Sequence, residues 1–191
     1  MSELQCTILG EGCRMGTYIL FIRLKAPLLI PFGRFMGGRP VEAPEGDYVY
    51  VGSALGERAS GSPLALRLLR HASRSGKKPA HPIRRLMLRE FQAAGLTSGP
   101  SARHPLKHLR WHVDYLLERR EAELFRVIAI RSPLRLEDAL SVVLNTHPAA
   151  EALAPRLGAQ DRKQGAHLLR LYDTAAVMAD MENAALHLTG N

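Results

Sequence analysis

The chain has 191 residues, with 46 % hydrophobic residues, 23 % charged residues and a formal net charge of +8. That length fits one domain that buries its own core, and two cysteines, Cys6 and Cys13, exclude a disulfide framework and a four-cysteine zinc site. No apolar run approaches the roughly 20 residues of a membrane-spanning helix and no basic stretch opens a signal peptide, so a soluble cytoplasmic protein is expected.

Residues 1–14 show no clear period and are expected to be irregular, an extension that adds at most an extra strand or hairpin. Thr17–Leu24 is β-branched and aromatic, and reads as a strand. Pro27 and Pro31 bracket a short second strand, Leu28–Ile30, and Gly46-Asp47 precedes a further strand at Tyr48–Gly52. These segments suggest an antiparallel meander. Ser62-Pro63 then has the form of a helix N-cap followed by a first-turn proline, and that helix is expected to run to about Gly76. A second helix is expected from His81-Pro82 to Ala94, with Ile83, Met87 and Phe91 on one face. Leu106, Leu109, Val113, Leu116 and Leu117 again have helical spacing. Glu123–Ile130 reads as a strand, Leu134–Asn145 as a helix, and His167–Leu171 as a short strand. Thr174 is expected to cap a last helix that stops before Gly190. The order implies an α+β fold, a small antiparallel sheet flanked by helices, over residues 15–172, with residues 173–191 packed on the same domain.

The charge is concentrated. From Arg58 to Arg110, nine Arg and three Lys face one acid, Glu90. Such a segment attracts phosphate and releases counterions on binding nucleic acid. A solvated basic face would account for the same charge. Arg74, Lys77, Lys78, Arg84 and Arg85 are the residues expected to touch nucleic acid. The ladder His104, His108 and His112 has helical spacing that could present three imidazoles to zinc, but Pro105 breaks it after His104.

Gly16-Thr17-Tyr18 opens one strand, Tyr50-Val51-Gly52 lies in another, and Arg67-x-x-Arg70-His71 follows on a helix. Glu137 lies in the first turn of a later helix. In this order the motifs resemble the GIY-YIG nuclease superfamily. The extended strings Gly46–Ala54, Trp111–Leu117 and Gly158–Asp161 with His167-Leu168 resemble a branch sometimes fused to endonuclease III-like glycosylases.

The resemblance implies a metal-dependent endonuclease, acting on DNA rather than RNA, with a DNA-repair role by analogy. It implies that Glu137 holds Mg²⁺ or Mn²⁺, a hard cation suited to carboxylate, water and phosphate oxygens. Tyr18 would activate the attacking water, Tyr50 would place its hydroxyl beside the phosphate or the water, and Arg67 would neutralise the phosphate. Arg70 and His71 lie within a turn of Arg67, where one of them would assist the phosphate or the proton path. His112, Asp114 and Asp161 would border the site. Where the related branch carries two cysteines, this chain has Asp138 and Arg162, a pair expected to form a salt bridge. Each residue also has a structural reading: Tyr18 as a core tyrosine, Arg67 as a solvated helix residue, Glu137 as a first-turn acid favoured by the helix dipole. The competing functions are a catalytically inactive nucleic-acid-binding module and a basic surface for an acidic protein partner.

Overall fold

Apolar side chains on both faces of the long N-terminal strands require helices on both sides of the sheet. The computed structural model describes residues 3–56, 61–98, 107–158 and 166–190. Its elements are β1 (Gln5–Leu9), β2 (Gly16–Leu24), β3 (Leu28–Pro31), β4 (Pro40–Ala43), β5 (Gly46–Ala54), α1 (Pro63–His71), α2 (Ile83–Ala93), α3 (His112–Leu117), β6 (Ala122–Arg131), α4 (Glu137–Thr146), β7 (Ala150–Ala152), β8 (Leu168–Leu171) and α5 (Thr174–Thr189). The six-stranded sheet has the order β1-β6-β2-β5-β8-β7, with only β1 parallel to its neighbour. This is a mixed α+β fold with a mostly antiparallel sheet, an N-terminal strand and a C-terminal helix.

Alternation along β2 divides the core. Tyr18, Leu20, Ile22 and Leu24 face α1, α2 and α3, together with Tyr48 and Tyr50 of β5. Ile19 and Phe21 face α4 and α5, together with Val49 and Val51. β2 and β5 pair antiparallel along their whole length, from Gly16 opposite Ala54 to Leu24 opposite Gly46.

The structure corrects several expectations. Within residues 1–14 the extra strand is present, and it is residues 5–9 that are not irregular: they form β1, the parallel edge strand beside β6. β3 and β4 leave the sheet as a separate two-stranded ribbon whose ladder ends with Pro31 opposite Pro40, two residues that cannot donate to a neighbouring strand. β7, Ala-Glu-Ala, was not expected, because none of its residues favours a strand. The cap of α5 is Asp173, whose carboxylate accepts from Ala176 N–H at 3.0 Å, whereas the Thr174 hydroxyl donates to Asp47 at 2.9 Å. Ser62 does cap α1, accepting from Ala65 N–H at 3.1 Å. That helix, however, stops at His71, short of Gly76.

Arg74 holds the chain beyond that stop. Its guanidinium donates to the carbonyls of Pro79 (2.8 Å), Leu117 (3.2 Å), Arg119 (3.2 Å) and Ala122 (2.5 Å), and to His81 Nδ1 (3.2 Å). His81 also accepts from Leu124 N–H at 3.0 Å, and burial pulls its pKa down to about 3. Arg74 is therefore a clamp between the α1–α2 and α3–β6 connections, not the nucleic-acid contact that its charge suggested. Lys78 pairs with Glu118 at 2.7 Å. Arg84 is half-buried and its pKa is lowered by burial, while Lys77 and Arg85 are exposed. Arg74→Ala leaves several carbonyls without their donor and is expected to cost more than about 2 kcal/mol. Lys77→Ala should change stability by less than about 0.5 kcal/mol, both read by chemical denaturation.

Candidate active site

The site is built where β2 and β5 run side by side. Tyr18 lies opposite Gly52, with Tyr50 on the same face, and the two tyrosine rings are 6.3 Å apart. A Cβ at Gly52 would come within 2.7 Å of Cζ and Oη of Tyr18 and 2.8 Å of Cε1 of Tyr50. Glycine is thus needed in the Tyr-Val-Gly string for space, because two aromatic rings occupy the volume above it.

From Tyr18 a chain of polar contacts runs inward. The Tyr18 hydroxyl is 2.9 Å from His71 Nε2, and His71 Nδ1 is 3.0 Å from Asp114 Oδ1. Asp114 is fully buried and accepts four groups. Besides His71, these are Arg70 Nη1, at 3.0 and 2.9 Å from its two oxygens, and the N–H groups of Arg110 and Trp111, each at 3.0 Å. Lys107 Nζ adds charge at 3.8 Å and donates to the Ser73 carbonyl at 2.7 Å. The bond from Trp111 N–H is the reach-back half of a capping box and starts α3 at His112.

These contacts set the protonation states. Burial alone would raise the Asp114 pKa, but hydrogen bonds and charges from His71, Lys107 and the backbone outweigh it and hold the carboxyl well below its usual range. Burial lowers the His71 pKa in spite of Asp114. The pair is therefore a carboxylate and a neutral imidazole. The imidazole proton sits on Nδ1, facing Asp114, so Nε2 is the acceptor for the Tyr18 O–H. Burial raises the Tyr18 pKa well above its ordinary value, with the Arg67 cation pulling the other way. Tyr18 is thus a neutral phenol whose proton already points at a base.

A second set of contacts crosses the end of the sheet. The Arg67 guanidinium lies over the Trp111 ring, 4.3 Å from its centroid, and Nη1 donates to the Ser53 carbonyl. The Ser53 hydroxyl donates to Glu137 Oε2. Glu137 Oε1 lies 2.8 Å from His167 Nδ1, an ion-pair distance without the alignment of a hydrogen bond. Burial alone would raise the Glu137 pKa, but His167 and Ser53 outweigh it and keep the group ionised. Tyr50 lies between the two histidines, its ring 6.5 Å from each. Arg70 and Arg110 also approach Trp111, at 4.6 and 5.3 Å, so three guanidinium groups surround one indole.

Of the residues picked out in the sequence, Tyr18, Tyr50, Arg67, His71, Asp114 and Glu137 converge here. Arg70 faces inward, to Asp114 and the His108 carbonyl, and supports the relay. His112 turns away: its Nδ1 accepts from Gly158 N–H at 2.8 Å and its ring meets the edge of Phe35. His108 precedes α3, and His104 lies outside the described residues, as do Asp161 and Arg162, the expected partner of Asp138. Ser53, Trp111 and His167 were given no role, although each stands inside a quoted string. Their part depends on contacts across the sheet end.

Among the described residues no cluster of three or more His, Cys, Asp or Glu forms a protein-only metal cage. The donors at Glu137 fit a different arrangement. One ionised, part-exposed carboxylate beside a hydroxyl suits a Mg²⁺ or Mn²⁺ ion completed by water and phosphate oxygens. No helix among the described residues is long and apolar enough to cross a membrane.

The family model described as "Domain of unknown function DUF123" matches residues 17–189, from the strand that carries Tyr18 to the end of α5. No curated protein and no solved structure matches the chain.

Two measurements check this geometry. Gly52→Ala forces a Cβ against two rings and is expected to cost about 1–3 kcal/mol in a denaturation experiment. The pH dependence has a definite sign. With the His71 and Asp114 pKa values both lowered by folding, the unfolded chain binds more protons in acid. Stability should therefore fall as pH drops below 6.5, first through the histidines His71, His81 and His112, whose pKa values folding all lowers, and then through Asp114. His71→Gln should make the first step of a pH series of thermal melts smaller, while His81 and His112 keep it from vanishing.

Proposed function

We propose that this chain, which belongs to the DUF123 family, is a metal-dependent endonuclease that hydrolyses phosphodiester bonds in DNA. The observation that carries the reading is the Tyr18–His71–Asp114 relay, which ends at a phenol flanked by Arg67 and Glu137. A core tyrosine needs a hydrogen-bond partner, but it does not need a neutral histidine oriented by a fully buried carboxylate. The resemblance to GIY-YIG nucleases agrees with this, since Tyr18, Tyr50, Arg67 and Glu137 match its motifs.

Tyr18 is only 1 % exposed, and Arg67 is tied to the Ser53 carbonyl in the free chain. A phosphate oxygen is a stronger partner for guanidinium than a neutral carbonyl. Arrival of the phosphodiester therefore draws Arg67 off Ser53 and opens the way to Tyr18. With its proton directed at His71, the Tyr18 oxygen presents a lone pair to water. As the water oxygen bonds to phosphorus, its proton passes to Tyr18, and the Tyr18 proton passes to His71 Nε2. The imidazolium so formed is stabilised by Asp114, as in other base–carboxylate pairs. The ester oxygen leaves as its bond to phosphorus breaks and takes a proton from solvent. Arg67 compensates the charge that develops on the phosphate. Glu137, with Ser53 beside it, would hold a divalent ion, which would supply Lewis-acid polarisation of the phosphate.

The basic segment supports nucleic acid as the substrate, through its exposed members such as Lys77 and Arg85 rather than through Arg74. Backbone charge, not base identity, is what such residues read.

The test uses supercoiled plasmid, single-stranded and branched DNA, and structured RNA, with Mg²⁺, Mn²⁺ or a chelator. Wild type should cleave only with metal, and Glu137→Ala should not cleave. Salt-sensitive binding by both proteins with no cleavage of any substrate would instead favour a nucleic-acid-binding module. Tyr18→Phe and His71→Ala should each lower kcat by roughly 10²–10⁴, and the double variant should lose little more than either alone. The acid limb of kcat/KM should lie below pH 6.5, because burial holds His71 neutral beyond its ordinary range.

A further inference from the structure

We propose that the tip of the β3–β4 ribbon, Met36 flanked by Arg34 and Arg39, is a wedge that enters the base stack of duplex DNA. The inference rests on the reading of this chain as a DNA-acting protein and deepens it, since it gives the site a preference for duplex.

The tip combines features that a surface turn does not need together. Met36 is 57 % exposed. Its backbone is left-handed, φ 49° and ψ 34°, a conformation that disfavours an unbranched side chain and costs glycine nothing. Gly37 and Gly38 follow with φ 69° and 82°. Two glycines follow it, yet this left-handed position of the same turn carries a large flexible apolar side chain. Arg34 and Arg39 stand on either side, both exposed, and among the described residues neither guanidinium has a hydrogen-bond or ion-pair partner. An apolar side chain between two unengaged cations is the pattern of proteins that insert a wedge between base steps and hold the flanking phosphates.

The tip is also anchored on α3. Phe32 and Phe35 are buried beneath it. Phe35 meets the His112 ring edge-on at 5.3 Å and Phe32 meets Tyr115 at 6.5 Å. Gly33 lets the ribbon close down, since a Cβ there would lie 2.7 Å from the Tyr115 hydroxyl oxygen. His112 is held in turn by the Gly158 N–H. Both anchors belong to α3, which begins one residue after Trp111, the ring that carries Arg67, and which contains Asp114. An element that must push into a base stack has to be fixed to a firm support, and this ribbon is held on the helix that contains Asp114.

The test uses a set of duplexes with 2-aminopurine at successive positions, bound in the presence of chelator so that no cleavage is required. Wild type should raise the fluorescence at one or two adjacent positions. Met36→Leu should keep that rise and Met36→Gly should lose it. Met36→Gly relieves the left-handed strain, so its thermal midpoint should not fall below that of wild type, and a lost signal reports the side chain and not unfolding. With Mg²⁺, the ratio of duplex to single-strand cleavage should drop roughly tenfold in Met36→Gly. Binding with no rise in fluorescence, or a Met36→Gly signal equal to wild type, overturns the wedge and leaves the nuclease reading standing. Met36-dependent unstacking without cleavage under any metal keeps the wedge and overturns the nuclease. Absence of DNA binding overturns both.

Discussion

A carboxylate with no exposed surface must be matched by donors, and Asp114 is the group around which this half of the molecule is arranged. Its four hydrogen-bond donors come from two places: Arg70 and His71 on α1, and the backbone of Arg110 and Trp111 at the start of α3. Satisfying that charge docks α1 on α3, chooses the tautomer of His71 and so directs the proton of Tyr18. It also leaves Trp111 beside α1, where Arg67 and Arg70 stack on it. Removing Asp114 would therefore disturb the packing and the electrostatics at once. A neutral amide in its place would reverse the orientation of the imidazole.

The sheet supplies the other half of the site by bringing together residues from its two faces. Tyr18 and Tyr50 belong to the layer covered by α1, α2 and α3, whereas Glu137 begins α4, which covers the opposite face. They meet at the end of β5, where the Ser53 carbonyl accepts Arg67 from one side and the Ser53 hydroxyl donates to Glu137 from the other. A short polar residue at a strand end can do both. A larger side chain there would separate the Arg67 guanidinium from the Glu137 carboxylate.

Much of this was legible in the sequence. The β2, β5, β6, α1, α2, α4 and α5 segments announce themselves by apolar period, and the Ser62 cap by its chemistry. Tyr18, Tyr50, Arg67 and Glu137 stand out through motifs in a known order. The pairing of His71 with Asp114 does not, because it joins residues 43 apart on either side of α2, and no local spacing relates them. Arg74 was misread for a related reason: composition counts its charge but cannot tell a guanidinium in solvent from one bound to four carbonyls. β1 was foreseen only as an extra strand without bounds, and β7 not at all, because both owe their form to a partner strand. Gln5 pairs with Arg126, and the Ala-Glu-Ala of β7 becomes a strand only against β8.

The position of β6 also bears on how the chain is made. β6 lies between β1 and β2, so the two N-terminal strands are joined to each other only through residues 122–131. During synthesis, β2 and β5 can zip together early, but one long edge of β2 stays open until some seventy further residues have left the ribosome. That edge runs beside Ile19, Leu20 and Phe21, apolar on both faces. The nascent domain thus carries an open apolar border through most of its translation, and the arrival of β6 in one event closes it and admits β1, leaving only β8 and β7 to join at the other edge, beside β5.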